Sequence, residues 1–438
     1  MHTGLKNFET QIEKISSWNL SYKRKTLVIY PSNLKELQFI IKLLKKEKKN
    51  FAIRTGKCAY DSKSIPSNEN SVVISLKKFN KIIQINKKNE TILLESGAKV
   101  SEVVHSLKRY NSTLYSVPGG EHISIGGAIA ANTIGKDSNK SFSSFGDSVK
   151  YLKIISYNGK IKKIKHNSKE FYKYIGSFGM FGMILEAEIK TKKIISNNLL
   201  VETKILKNIR EIEKELKKKT EYKYIQVDPF FRKEHLAIVF NANYIKNFED
   251  NYKNKNFETN IVEKLFFKFS SIFINSFTWK IFYKIFFKLN DNKKLCVDIH
   301  NFHYSSKYKH MIPLICKGTL LDYEILIKKK FKDTFDDIKN LIDKYNLKPI
   351  YIIVKKLFRS RKKFFYSFND NGYALAISFD SKDIGKLKKS KLEELLKKRK
   401  LLLNLSKTDS QFVKKVKKIN SKENKVFMSL YKKMLVNR

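Results

Sequence analysis

The spacing of apolar residues changes along the chain, and each spacing predicts an element. Residues 26–30 are a short apolar run fit for a strand, and Pro31, Ser32 and Asn33 then open an amphipathic helix that runs to about residue 48. Residues 51–54 read as a second strand, so the chain opens as strand, helix, strand. A loop covers 55–70. Strand patterns follow at 72–75, 82–85 and 90–95, with a helical pattern over 100–110. Residues 151–157 and 161–164 flank Asn158 and Gly159, a pair suited to a tight hairpin. The segment 183–189 reads as the last strand of this half.

Beyond Lys190 the character changes, and from residue 319 the pattern becomes regular. Strand 319–327, helix 330–345, strands 349–354 and 373–379, helix 384–400 and strand 401–405 give the order β-α-β-β-α-β, the split arrangement of a ferredoxin-like sheet. The expected fold class is therefore α+β. A cofactor domain is expected over 1–193, a ferredoxin-like α+β substrate domain over 194–405, and a segment over 406–438 that returns to the first domain. A chain of 438 residues suits two or three such units.

One stretch departs from the lysine, asparagine and isoleucine that fill the rest. Residues 117–149 contain Pro118, Gly119 and Gly120, then Gly126, Gly127, Ala128, Ile129, Ala130 and Ala131, then Gly135, and finally Ser144, Phe145 and Gly146. Small residues let backbone come close to a ligand, and glycine reaches angles closed to other residues. A tight turn and a close helix–sheet contact would account for two or three of these glycines, but not for the run. The stretch reads as one wall of a cofactor pocket, with Arg54, Gly56 and Tyr60 on a loop opposite. Backbone N–H groups in such loops can bind a pyrophosphate. No G-x-G-x-x-G joins a first strand to a helix, which excludes a Rossmann unit.

Composition alters this picture little. Lysine and arginine number 90 against 41 acidic residues, a net charge of +49, which suits an anionic partner. The excess is mostly lysine spread over the whole length, so it reads as compositional bias, and nucleic acid is not the expected partner. The three cysteines, Cys58, Cys296 and Cys316, are too few and too scattered for a disulfide framework. With no secretory signal pattern at the start and no apolar run of about eighteen residues, a cytoplasmic location is expected. Cys296, His300, His303, His310 and Cys316 have ligand chemistry without a recognised spacing, and no metal site is expected. The segment 261–289 alternates Phe and Ile with Lys264, Lys268, Lys280, Lys284 and Lys288. Such a helix either lies at a membrane interface or packs on its own domain.

The glycine-rich wall, with Val117-Pro118-Gly119, Gly126-Gly127-Ala128-Ile129-Ala130, Gly135-Lys136 and Ser144-Phe145-Gly146-Asp147-Ser148-Val149, resembles the PCMH-type FAD-binding domain of the vanillyl-alcohol oxidase superfamily. Within it the likeness is to the decaprenylphosphoryl-β-D-ribose oxidase group, the flavoprotein half of a two-protein 2-epimerase, and it runs from about Trp18 to the C-terminus. Lys407-Thr408-Asp409-Ser410 is similar to the lysine-bearing active-site segment of that group, residues 424–429 to its closing motif, and Lys355 to its substrate-side lysine.

The resemblance implies FAD held by Arg54, Thr55, Gly56, Lys57, Cys58, Ala59 and Tyr60 on one side. On the other side it implies Pro118, Gly119, Gly120, Ile123, Gly126, Gly127, Ala128, Ala130, Ala131, Thr133, Ile134, Gly135 and Ser144, with Gly182 and Ile184 closing the site. It implies Lys407, Lys355 and Tyr60 as catalytic residues and a secondary alcohol of a sugar as the group oxidised. A short-chain-type NAD(P)-dependent keto-reductase would be the partner. The substrate is expected to be a polyprenyl-phosphate-linked pentose at the inner face of a membrane. The first loop lacks histidine, so FAD is expected to be non-covalent. Ile134 replaces a histidine of the family, Ala376 a cysteine, and Asp322-Tyr323-Glu324 a Gln-Tyr-Gln stretch. Two rivals remain open: a soluble oxidase of sugar lactones or 2-hydroxy acids on this fold, and a non-catalytic binder of anionic polymer.

Overall fold

A computed structural model describes residues 3–137, 139–246, 276–304, 316, 318–360, 362–366, 368, 370–399 and 401–407. Residues 261–275, His310, the motif residues after Lys407 and the segment expected to return to the first domain lie outside them. The described residues form three sheets.

The first sheet contains β1 (Thr10–Ser16), β2 (Lys23–Ile29), β3 (Phe51–Arg54) and β4 (Val72–Ser75) in the order β1-β2-β4-β3. Strands β2, β4 and β3 run parallel. Helix α1 (Leu34–Lys46) crosses over them, started by Asn33, whose side chain accepts from the Glu36 amide at 3.0 Å. Its Leu37, Ile40, Ile41 and Leu44 are fully buried against Ile29, Phe51 and Ile74. Strand β1 falls where the sequence reads as a polar lead. It pairs only with β2 and leaves Ile12 exposed, so it lacks the buried run that marks a central strand.

The second sheet is antiparallel. It orders β5 (Ile82–Asn86), β6 (Thr91–Glu95), β10 (Met183–Lys193), β8 (Val149–Ile155) and β9 (Ile161–Lys165), with β7 (Ser112–Leu114) also on β10. Helices α2 (Val100–Leu107), α3 (Ile125–Ala131) and α4 (Lys169–Tyr174) bury Val100, Val103, Val104, Leu107, Ile125, Ala128, Ile129 and Phe171 in the same core as Ile92, Leu94, Leu152 and Ile189.

The third sheet has eight strands. These are β11 (Asn198–Leu206), β12 (Tyr222–Val227), β13 (Ala237–Tyr244), β14 (Lys294–Asp298), β15 (Leu320–Ile327), β16 (Pro349–Leu357), β17 (Gly372–Asp380) and β18 (Leu402–Leu403). The order is β14-β11-β13-β12-β16-β17-β15-β18, with every neighbouring pair antiparallel. The last four strands are the split unit expected from the sequence, in the order 2-3-1-4. The first four repeat that order in mirror sequence, 4-1-3-2, and the halves join at β12 and β16.

The sequence reading misses the first half because β12 and β13 bury consecutive residues under helices on both faces, which leaves β11 as a lone alternating strand. On one face, α5 (Ile209–Lys217) packs with Leu206, Ile225, Val227 and Val239, and α8 (Phe331–Lys344) extends the same layer over Tyr323, Ile325 and Ile377. On the other face, α6 (Ser276–Asn290) buries Trp279, Tyr283 and Phe287 against Ile238. The short α7 (Ile299–His303) follows β14. The described part of the 261–289 segment is thus a helix packed by one side on its own sheet. The helix expected over 384–400 is broken into α9 (Ile384–Lys389) and α10 (Leu392–Lys398), because Lys391 adopts a positive φ of 55° between them.

The loop around residues 360–366 fastens the third sheet to the second. Asp147 accepts from Ser360 Oγ at 2.7 Å, and the Asp147 carbonyl accepts from Lys362 Nζ at 2.9 Å. Gly176, at φ 73°, lets the Tyr366 carbonyl pass where a side chain would collide. Gly176→Ala is therefore expected to destabilise the protein by more than about 1 kcal/mol. Equilibrium denaturation checks this, and an unchanged midpoint would contradict the close approach.

Candidate active site

The two predicted sides of the cofactor pocket meet. Thr55 Oγ1 and Ser124 Oγ, the N-cap of α3, lie 2.6 Å apart, and a Cβ on Gly56 would stand 2.8 Å from the His122 carbonyl oxygen. The glycines of the wall divide into two groups. Gly126 is pressed on Ser96, where a Cβ would come within 2.8 Å of the serine Cβ, and Gly135 on Val117, within 2.7 Å of its amide. These two serve packing, as the simpler reading of the stretch requires. A Cβ on Gly119 would meet only the His303 carbonyl, at 3.9 Å, and one on Gly127 would meet Ser124 Oγ and Thr55 Oγ1. Their smallness is not demanded by a neighbouring backbone, so they are free to admit a flat ligand.

The other predicted residues are spread over the 54–60 loop, the turn into α3, α3 itself, the Ser144 turn, the second sheet and the contact of Ile134 with the third sheet. Arg54 donates from Nη2 to the Ser16 carbonyl at 2.8 Å, and burial lowers its proton affinity. Lys57 is exposed, and Cys58 and Ala59 are half-buried beside it. The Tyr60 ring lies 4.7 Å from that of Trp18, a neighbour that sequence reasoning did not single out. Pro118, Gly120 and Ile123 form the turn that enters α3, closed by the Ile123 amide on the Gly120 carbonyl at 3.1 Å. Ala128 is buried in the core, while Ala130 and Ala131 are half-buried on α3. Ser144 opens the turn that Asp147 caps. Ile184 is a core residue of the second sheet beside Ile154, and Gly182, at φ 153°, passes close to the Ile155 carbonyl. Ile134 packs against Leu326, Leu357 and Ala374 of the third sheet, so the wall itself reaches across to that sheet.

The fit of this pocket to FAD rests on its unused polar groups. The amides of Gly56, Gly119 and Gly120 make no hydrogen bond among the described residues. Thr133 Oγ1, the Tyr304 hydroxyl and both ring nitrogens of His303 are buried with no partner among them. Small residues on one side and orphaned donors around them suit a flat ring system with a pyrophosphate tail.

Across from the wall, the third sheet presents a charged cluster. Glu324 on β15 is 1 % exposed. Its Oε2 lies 3.2 Å from Lys407 Nζ and accepts from Asn404 Nδ2 at 2.5 Å, while Lys355 Nζ on β16 lies 3.3 Å from Oε1. The Asn404 amide also donates to the Glu324 carbonyl at 2.8 Å, and the Lys407 amide to the Asn404 carbonyl at 3.1 Å. The turn that carries Lys407 is therefore built on Glu324. Tyr366 secures it from the other side, donating to the Leu403 carbonyl at 2.9 Å and accepting from the Leu405 amide at 2.6 Å.

Proton affinities follow from this packing. Burial works against a charge on Glu324, yet Lys355 and Lys407 outweigh it and hold the carboxyl at about 2. Burial also opposes the charge on Lys407, but Glu324 and Asp322 raise its proton affinity. Burial lowers that of Lys355, with Glu324 offsetting part of the fall. Behind them, burial brings Lys136 down to about 8 and pushes Asp137 up to about 7. Burial, followed by Asp322, raises the Tyr60 phenol well above its ordinary range. The arrangement can bind an anionic or polyhydroxylated ligand between fixed cations and a cofactor wall.

Known proteins resemble the chain in the same region. Residues 26–165 match the FAD binding domain family. The chain is 25% identical over 126 residues to decaprenylphosphoryl-β-D-ribose oxidase of Mycolicibacterium smegmatis, covering 28% of this chain and 27% of that protein. It is 22% identical to mitochondrial L-galactono-1,4-lactone dehydrogenase of Arabidopsis thaliana, over 47% of this chain and 33% of that one. A putative D-arabinono-1,4-lactone oxidase of Neurospora crassa is 25% identical over 50% of this chain and 38% of its own length. The chain thus matches only a third or so of each of these proteins. In three dimensions it is similar to cholesterol oxidase of B. sterolicum, with a TM-score of 0.75 at 11% identity over 98% of both chains. A second cholesterol oxidase structure, from Brevibacterium sterolicum, gives 0.69 at 10% identity over 92% of this chain and 88% of its own. At such identities the likeness establishes the fold.

Glu324→Gln would leave two lysines facing each other across a neutral amide. A loss of about 3–5 kcal/mol is expected, as for a buried ion pair stripped of one partner. The folded carboxyl lies below its ordinary 4.5, so the pair's contribution is complete above that pH and is lost as pH falls toward about 2. Denaturation as a function of pH checks both points. A glutamine variant with wild-type stability and a wild-type acid limb would remove this role for Glu324.

Proposed function

We propose that this chain, whose residues 26–165 are an FAD binding domain, is an FAD-dependent oxidoreductase that converts a secondary alcohol of a sugar to a ketone, with a polyprenyl-phosphate-linked pentose as the substrate. The observation that carries the reading is the buried Glu324 with Lys355 and the part-exposed Lys407 on the third sheet opposite the glycine wall. Bound FAD supplies the two-electron oxidant. Lys407, kept charged by Glu324, donates to the substrate oxygen and stabilises negative charge there. Lys355 engages a hydroxyl or the phosphate. The tie of the 404–407 turn to Glu324 and Tyr366 fixes Lys407 before substrate arrives, which lowers the cost of orienting it.

Residues 54–60 contain no histidine, which supports non-covalent FAD. The keto sugar would pass to an NAD(P)-dependent reductase of the short-chain type. The Arabidopsis and Neurospora relatives carry lactones in their names and match half of the chain, so a sugar lactone is the second substrate class to test. A spectrum of the purified protein is expected to show oxidised-flavin absorption near roughly 450 nm, with FAD released into the supernatant on acid precipitation. Anaerobic addition of a short-chain polyprenylphosphoryl-β-D-ribose is expected to bleach that band, and L-galactono-1,4-lactone is not. Bleaching by the lactone alone would favour the second class. A colourless protein that takes up no FAD would leave the binding of anionic polymer as the better reading.

The outer side of α6 supports contact with an anionic membrane. Phe277, Ile281, Ile285 and Leu289 recur every four residues there and are 69%, 44%, 51% and 64% exposed, beside the exposed Lys280, Lys284 and Lys288. Apolar residues next to lysines suit the headgroup region, where each cation contributes about 1 kcal/mol. No described helix is long and apolar enough to cross a membrane. The protein is expected to sediment with phosphatidylserine vesicles and not with phosphatidylcholine ones, and paired Ile281→Asp and Ile285→Asp to release it. Equal recovery with both lipids would remove this surface.

A further inference from the structure

The charged cluster leaves a question of proton transfer: oxidation of an alcohol releases its hydroxyl proton, and some group near the reacting carbon must take it. Among the described residues the groups at the seam can be sorted by the bonds they already make. Glu324 is held as a carboxylate by two lysines and Asn404, and is a weak base. Lys407 carries its full complement of protons against Glu324. Asp137 has both carboxyl oxygens on the Val117 amide, at 3.3 and 3.2 Å, and so serves the wall.

Asp322 is different. It sits two residues before Glu324 on β15, on the same face of the sheet, and is 6% exposed. Its Oδ1 accepts from Tyr351 of β16 at 3.1 Å and from Ser378 of β17. Its Oδ2 is buried and makes no aligned hydrogen bond among the described residues. Tyr60, from the cofactor side, is near enough to the same carboxyl for the two to alter each other's proton affinity. Asp322 thus stands at the seam with Oδ1 anchored by two donors, Oδ2 without an aligned partner among the described residues, and the Tyr60 hydroxyl acting on the same carboxyl from the cofactor side.

We propose that Asp322 is the catalytic residue that takes the hydroxyl proton of the substrate, through Oδ2. The inference rests on the oxidoreductase reading above. In balance, the O–H proton passes to Asp322, the C–H hydrogen leaves with its electron pair to FAD, and the C–O bond becomes C=O. The alcohol loses two electrons and the flavin gains them. The proton on Asp322 then returns to solvent.

The groups facing Asp322 are consistent with this role. Burial raises its proton affinity, while Ser378, Lys407, Tyr351 and Tyr60 offset part of the rise. Glu324, on the same strand, is paired to its lysines, and Cys316 is pushed up to about 12 by burial and by Asp380, so it stays a thiol. A carboxyl moved toward neutrality is the better proton acceptor.

The test uses the FAD-loaded full chain and three variants, Asp322→Asn, Asp322→Glu and Tyr351→Phe. Infrared spectra taken along a pH titration report the protonation of carboxyls without any substrate, and Asp322→Asn is expected to remove one band that titrates above the ordinary carboxylate range. Flavin bleaching by short-chain polyprenylphosphoryl-β-D-ribose is expected to rise with pH in the wild type. In Asp322→Asn it should fall by about a hundredfold or more and lose that rise. Asp322→Glu is expected to keep the rise. Tyr351→Phe removes a donor that favours the carboxylate, so the rise should move to higher pH. A well-folded asparagine variant that binds FAD and keeps the wild-type pH profile, or that keeps every carboxyl band, would overturn the proposal. If asparagine prevents folding, an unmoved profile in Tyr351→Phe would overturn it instead. A wild type that binds no FAD would defeat the oxidoreductase reading, a result the infrared and pH comparisons do not produce.

Discussion

One buried carboxylate, Glu324, has to neutralise two lysines, and much of the site follows from that. Its desolvation is offset only because Lys355 reaches one oxygen while Lys407 and Asn404 reach the other. Lys407 can come there only if the chain turns at 404–407, and that turn hangs on the Glu324 carbonyl and on Tyr366. Tyr366 in turn lies on the loop that Asp147 and Gly176 hold against the cofactor half. The electrostatics of the third sheet and the packing of the glycine wall are therefore one mechanical system. Substitution at Gly176 should be felt at Lys407.

The eight-stranded sheet explains why such a cluster can exist. Two split units joined edge to edge make a surface wide enough to carry helices on one face and, on the other, to face the wall while α6 covers its far end. Strand β15 is buried along its whole length, so any acid on it must find partners. Asp322 and Glu324 resolve the same constraint in opposite ways. Glu324 is ionised between cations; Asp322 is surrounded mainly by hydroxyl donors and has the greater affinity for a proton.

Much of the cofactor half was legible in the sequence. Strands at 51–54 and 72–75 emerge where expected because short apolar runs bounded by turn residues admit few alternatives. The glycine stretch was legible as a wall, though only the structure separates Gly126 and Gly135, which serve packing, from Gly119, which meets only the His303 carbonyl, and Gly127, which meets the hydroxyls of Ser124 and Thr55. The first half of the third sheet was not legible, since β12 and β13 bury consecutive residues and lose their alternation, and β11, which keeps it, stands alone. Lys355 and Lys407 stood out through a family likeness, whereas Asp322 and Glu324 registered only as departures from it. A bottom-up signal was nevertheless present: Leu320, Leu321, Tyr323, Ile325, Leu326 and Ile327 form an apolar strand, and two acids inside such a run demand partners. Trp18, against Tyr60, gave no periodic signal because it lies in a loop.

The central claim is that the reacting centre lies at the seam between the glycine wall and the third sheet. An experimental structure of the FAD-loaded protein tests it most directly. The account predicts the ring system against Gly119 and Gly127, with Asp322 and Lys407 at the open side where the alcohol would sit. A flavin ring bound away from that seam, with Glu324, Lys355 and Lys407 still closed on one another at a distance, would contradict it.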